Sequence, residues 1–101
     1  MIARIWHGWT RAEDADAYRR LLVTTILPGI HRVRGYRGAY LLDRRVGGDA
    51  EFVTVTLWDS MDAVAEFAGS DSGHAVVPED ARRLLTRFDD HSEHYEGEWV
   101  P

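Results

Sequence analysis

The chain has no cysteine, which excludes disulfides, thiolate nucleophiles, iron–sulfur clusters and cysteine-ligated zinc together. It also has no lysine, asparagine or glutamine. All twelve basic residues are arginine, so Schiff-base chemistry and a covalently held pyridoxal cofactor are excluded. Any general base must come from the five histidines or the seventeen carboxylates. No uncharged run approaches the ~20 residues of a membrane span, since the longest, residues 21–30, is broken by Pro28-Gly29. The first residues carry no apolar signal region, and a net charge of −5 does not suit a protein that coats phosphate backbones. The expectation is a soluble cytoplasmic protein with neither nucleic acid nor membrane as partner.

At 101 residues, 45% of them hydrophobic, the chain predicts one domain over residues 1–101 that folds without covalent staples. Ile2 to Trp9 is rich in Ile and Trp and lacks a helical stripe, which predicts a strand. Thr10-Arg11-Ala12-Glu13 fits a capping box, and Tyr18, Leu21, Leu22, Thr25 and Ile26 then form a helical stripe that Pro28-Gly29 ends. Ala39 to Arg45 and Glu51 to Trp58 read as strands around a Val46–Ala50 hairpin loop. Asp59-Ser60 caps a short helix with a stripe of Met61, Val64, Phe67 and Ala68 and a stop at Gly69. A further helix starts at Pro78 and carries Ala81, Leu84, Leu85 and Phe88, and Ser92 to Trp99 is the last strand.

The order β-α-β-β-α-α-β predicts an α+β fold of the ferredoxin-like, split-βαβ kind, with helices on one face of a four-stranded antiparallel sheet. The other face is left bare. Val53, Val55 and Leu57 on one parity and Phe52, Thr54, Thr56 and Trp58 on the other suit water poorly on either side, so a second copy packed sheet to sheet is expected as a C2 dimer.

Residues Met1 to Thr10, Pro28-Gly29-Ile30, Gly35-Tyr36-Arg37-Gly38, the run from Phe52 to Ser60 and His94-Tyr95-Glu96 resemble the antibiotic biosynthesis monooxygenase family of the dimeric α+β barrel superfamily. The resemblance covers nearly the whole chain. It implies a homodimer with a small-molecule cavity between sheet and helices in each subunit, and an oxygenase that acts on a small aromatic molecule without metal or flavin. The superfamily also holds haem-degrading oxygenases, cyclases, isomerases and members of no known reaction. Trp58 matches the family's third-strand tryptophan, whereas Thr54 replaces an asparagine and Val64 stands near its tyrosine. In the haem-degrading branch the helix tryptophan is replaced by Phe67 and the axial histidine falls at Val77, so no cofactor is expected.

Oxygen insertion into a phenol needs an apolar pocket, a base and polar groups that stabilise the resulting enolate. His74, in the loop after the second helix, is the candidate catalytic histidine, with Trp58 beside it. Trp6, Tyr40, Thr54, Phe67 and His94 are candidate substrate contacts, and Arg37 or Arg4 could stabilise an anion. His91 and His94 do not suggest a metal site, since positions three apart on a strand face opposite sides. The second reading is a non-catalytic small-molecule-binding or stress-related dimer, and a cyclase or isomerase using the same pocket is a third.

Overall fold

The computed structural model describes residues 1–101. Strand β1 (Ile2–Arg11) leads through a 3-10 turn (Ala12–Asp14) into helix α1 (Ala15–Leu21), a π-helical turn (Leu22–Ile26) and α2 (Leu27–Ile30), which continue one another. Strands β2 (Tyr36–Val46) and β3 (Asp49–Trp58) form a hairpin, followed by α3 (Met61–Ala68), α4 (Glu79–Leu84), β4 (Leu85–Phe88) and β5 (Glu93–Glu96). The sheet is antiparallel, ordered β2-β3-β1-β4, with β5 also on β1. The fold is therefore α+β and ferredoxin-like, with five strands where four were expected.

The extra strand corrects the reading of the last quarter of the chain. Leu84, Leu85 and Phe88 fall at helical spacing, yet α4 ends at Leu84 and the next four residues pair with β1. Leu85 lies opposite Thr10 and Phe88 opposite Gly8, because a bulge adds a residue to β4. Two apolar residues three apart thus reach the same face, as they would in a helix. β4 and β5 run in the same direction along successive halves of β1, so they amount to one edge strand interrupted at residues 89–92.

Other boundaries moved for equally local reasons. Thr10 does not cap a helix. It is fully buried opposite Ala50, its hydroxyl donates to the Arg11 carbonyl, and pairing with β3 extends β1 to Arg11. Pro28 does not end the helix, because the π turn has already shifted the hydrogen-bond ladder where its missing N–H would be felt. The hairpin closes on Gly47-Gly48 alone, Val46 pairing with Asp49. Ser60 does cap α3, its Oγ accepting from the Ala63 N–H at 3.2 Å, and Gly69 ends that helix, but Met61 is exposed and Ala63 is buried in its stead.

Register decides what each face carries. Even-numbered residues of β1 and β3 point to the helices, and Ile2 opposes Trp58, Arg4 opposes Thr56, Trp6 opposes Thr54 and Gly8 opposes Phe52. One end of this face packs Phe52 with Tyr18, Leu22 and Ala81, and the other packs Trp58 with Ile2, Ala63 and Val64. Between these two apolar cores the sheet carries a polar band of Arg4, Thr54 and Thr56 beside Trp6. The odd-numbered face, with Ile5, Val53, Val55 and Leu57, has no helix over it, and Tyr40, Leu42 and Tyr95 on that side are exposed.

Gly35 fixes how α3 meets the sheet. Its φ is +90°, and a Cβ there would lie 2.6 Å from the Ala63 Cβ. Gly69 has a similar φ of +84° with open space around it. Gly69→Ala should therefore cost only the backbone strain, about 1–3 kcal/mol, and Gly35→Ala, which adds the clash with Ala63, should cost more in urea unfolding. Equal losses would mean that α3 yields without resistance.

Candidate functional site

The polar band between the two cores lies under a cavity of about 70 Å³. Its sheet side is Arg4, Trp6, Thr54 and Thr56, and its roof comes from Tyr18, Leu22 and Ile26 of the first helical rod. Phe67 and Val76 to Pro78 close the sides. The π turn widens the helix where Leu22 and Ile26 face the cavity, a distortion that recurs at functional sites.

Arg4 is 4% exposed and organises the polar groups. Nη1 donates to the Ser72 carbonyl and, at 2.9 Å, to His94 Nε2, while Nη2 donates to the His74 carbonyl at 2.9 Å. Burial pulls the Arg4 pKa below the usual guanidinium value, since desolvation penalises the charged form. The His94 pKa is also lowered, first by burial and then by the Arg4 charge, with Glu93 opposing. Arginine only donates, so His94 Nε2 accepts and the neutral ring carries its proton on Nδ1. Thr56 is likewise engaged, accepting from Trp58 Nε1 at 2.9 Å.

Three hydroxyls remain. Tyr18, Thr54 and Ser92 line the cavity, and none of their side chains makes a hydrogen bond within the chain. Burial pushes the Tyr18 phenol pKa far up, so it stays a neutral donor. The lining contains no carboxylate and no imidazole.

The sequence-predicted residues fall into two groups. Trp6, Thr54 and Phe67 line the cavity, and His94 stands behind Arg4. Four do not line it. Trp58 is fully buried, with Nε1 bound to Thr56 and its ring 5.4 Å from Phe67, so it backs the wall. His74 is exposed outside the loop whose carbonyl Arg4 holds, because the turn from Asp71 aims its ring away from the sheet. Tyr40 opposes Val55 on the uncovered face, one residue out of phase with the helix side. Arg37 is exposed and paired with Asp59 at 3.4 Å.

Tyr18 and Ser92 went unsingled in the sequence, Tyr18 because it sits in an apolar helical stripe and Ser92 because it reads as the start of a strand. A usable signal was Arg4, a charge at an inward strand position between Ile2 and Trp6.

The fold and cavity define a ferredoxin-like α+β domain with a partly open site between sheet and helices. The chain belongs to the antibiotic biosynthesis monooxygenase family, whose sequence profile matches residues 1–96. Among similar solved structures, one described as a candidate antibiotic biosynthesis monooxygenase of Deinococcus radiodurans has a TM-score of 0.68 at 19% identity, over 100% of this chain and 97% of that one. The haem-degrader MhuD of Mycobacterium tuberculosis, solved with two haems in its active site, gives 0.66 at 19% identity over 100% and 99%. The ActVA-Orf6 monooxygenase of Streptomyces coelicolor, in complex with nanaomycin D, gives 0.63 at 14% identity over 99% and 91%. No curated protein sequence matches the chain significantly. No helix is long and apolar enough to cross a membrane.

The lowered His94 pKa makes stability pH-dependent with a definite sign. The unfolded chain takes up a proton on this histidine near pH ~6.5, whereas the folded chain resists it. The contribution is thus complete above that pH and is lost as the pH falls through the folded-state value. Melting temperature should drop on acidification from about pH 6.5, and His94→Gln should flatten that part of the curve. An unchanged slope in the variant would assign the effect to other groups.

Proposed function

We propose that this chain is a cofactor-independent monooxygenase for a small fused-ring phenol. The observation that carries the reading is the cavity's make-up: an apolar slot with three unengaged hydroxyls and one buried guanidinium charge. A phenol presents the matching pattern, a flat apolar body with one oxygen that becomes an anion.

Size narrows the class. The inner cavity, about 70 Å³, is smaller than the ~150 Å³ that encloses a benzene ring in a protein core. It shares Ile26, Ile30, Phe67, Val76 and Pro78 with an outer groove of about 370 Å³. A bicyclic or tricyclic substrate would place its oxygenated edge inside and its remaining rings along the groove, displacing Phe67 or Val76 slightly.

Tyr18, Thr54 and Ser92 donate to the phenolic oxygen, and the Arg4 charge favours its ionised form in a mostly apolar site. With no carboxylate or free imidazole in the wall, the substrate enters as the phenolate. The phenolate gives an electron to dioxygen, and the two radicals join at a ring carbon as a peroxide anion. That anion takes the proton of the same carbon, and the O–O bond breaks as the C=O forms, so that hydroxide leaves and becomes water with the proton released when the phenol ionised. Phenol plus dioxygen thus becomes quinone plus water.

A haem does not fit this donor set. The wall offers no imidazole, and His94 spends Nε2 on Arg4. The absent base also gives the non-catalytic reading its one specific support, and disfavours a cyclase or isomerase, which needs a proton acceptor.

The uncovered sheet face supports a homodimer formed sheet to sheet, since Ile5, Leu42, Val53, Val55 and Leu57 would otherwise face water. Sedimentation should give twice the chain mass, and Leu42→Glu, which puts a carboxylate in the middle of the uncovered apolar face, should shift it toward the monomer.

The deciding experiment follows oxygen uptake with naphthols, dihydroxynaphthalenes and anthrones, alongside quenching of tryptophan fluorescence. Uptake with a quinone product, reduced about 10²-fold in kcat by Tyr18→Phe, is expected. Saturable binding of these phenols with no oxygen uptake would overturn the oxygenase and leave the binding protein.

A further inference from the structure

The most developed cluster outside the cavity lies where the edge strand is interrupted. We propose that Asp71, His74 and His91 form a surface site for one divalent transition-metal ion of the zinc type. Their ligand atoms lie within 4.8 Å of one another, and all three residues are exposed. Two imidazole nitrogens and one carboxylate oxygen suit Zn²⁺, Ni²⁺ or Cu²⁺ better than Mg²⁺ or Ca²⁺, and a fourth position stays open to water.

The backbone holds these donors in place. His74 and His91 face each other across an isolated antiparallel bridge, flanked by hydrogen bonds from Ala75 N to Asp90 O and from Ser92 N to Gly73 O, both 2.8 Å. The turn that returns His74 N to Asp71 O at 3.0 Å sets the carboxylate beside them. From beneath, Arg4 holds the carbonyls of Ser72 and His74. The two rings stand at 88° with centroids 6.2 Å apart, edge to face. Atoms around a tetrahedral zinc are separated by roughly 3.4 Å at its usual 2.0–2.1 Å bond lengths, so modest side-chain rotation closes the set. None of the three side chains has another partner: no ion pair or side-chain hydrogen bond in the chain uses them.

The pairing joins residues 17 apart in sequence and became visible only once the strand break was known; the nearer pair, His91 and His94, has its members on different sides. An ion here would clamp the 71–74 turn, which leads into the cavity wall at Val76, to the 89–92 segment, which delivers Ser92 to the same cavity. The proposal does not depend on the oxygenase reading.

The test titrates tag-free, metal-stripped full chain with Zn²⁺ by calorimetry and with Co²⁺ by visible absorption. One equivalent should bind, with cobalt bands of a nitrogen–oxygen site. Zinc should raise the melting temperature in proportion to the logarithm of its excess. His74→Ala and His91→Ala should each weaken binding at least about tenfold, whereas His31→Ala, exposed elsewhere, should leave it unchanged. Circular dichroism melts of the metal-free variants separate lost binding from lost folding, and His74→Gln provides a milder second variant. Binding that survives in the His74→Ala, His91→Ala double variant would overturn the proposal, as would only weak, multiple-equivalent binding across the acidic surface.

Discussion

A buried guanidinium is the constraint around which this small domain is built. Arg4 sits in the second strand position that faces the helices, where an apolar residue would ordinarily join Ile2 and Trp58 to Phe52 in one continuous core. A charge there is costly unless its donors are used, and the chain uses them on two loop carbonyls and a histidine ring. That demand draws residues 72–74 onto the sheet and turns His94 inward. It also divides the core, leaving a polar band with room above it. The cavity is thus tied to satisfying Arg4: the middle of the sheet carries Arg4, Thr54 and Thr56 beside Trp6 where a row of aliphatic side chains would otherwise fill it.

The same division separates stability from recognition. Phe52 and Tyr18 meet edge to face at 4.7 Å at one end, and Trp58 meets Tyr36 edge to face and packs at a tilt on Phe67 at the other. The first cluster holds α1 and α4 to the sheet and the second holds α3, neither through the centre, so the residues between them are free to differ in polarity and size. Trp58 illustrates the point. Its indole is occupied by Thr56, and its influence on the cavity passes through the Phe67 ring that it supports.

Much of the fold was legible because strands such as Phe52 to Trp58 are dense in β-branched and aromatic residues, and because Ser60 and Gly69 carry cap chemistry that no tertiary contact overrides. What was illegible depended on pairing partners. Thr10 has the sequence of a cap, but ten residues of β3 opposite β1 outweigh one side-chain hydrogen bond. Leu85 and Phe88 keep a helical spacing because a bulge brings them to one face. For the site, Trp6, Thr54 and Phe67 were within reach of strand parity and a helix stripe. Tyr40 failed because parity on β2 is set by its pairing with β3, and a one-residue phase error reverses every side chain. His74 failed because a loop residue's direction follows from a turn that sequence does not fix.

The interrupted edge strand ties these threads together. A regular strand along β1 would bury alternate residues from Leu85 onward and leave no freedom at its middle. By leaving the ladder at residues 89–92, the chain gives up strand pairing there and replaces it with bonds of other kinds: Asp89 N to His7 O at 3.0 Å, Trp6 Nε1 to Asp89 O at 2.7 Å, and Ser92 N to Gly73 O. Two adjacent residues then serve opposite sides, His91 projecting to the surface cluster and Ser92 into the cavity. Both hang from one short backbone segment, which bonds through Ser92 N to Gly73 O of the loop whose carbonyls Arg4 holds from beneath, so a single charged side chain at the centre of the sheet supports the cavity wall and the surface cluster alike.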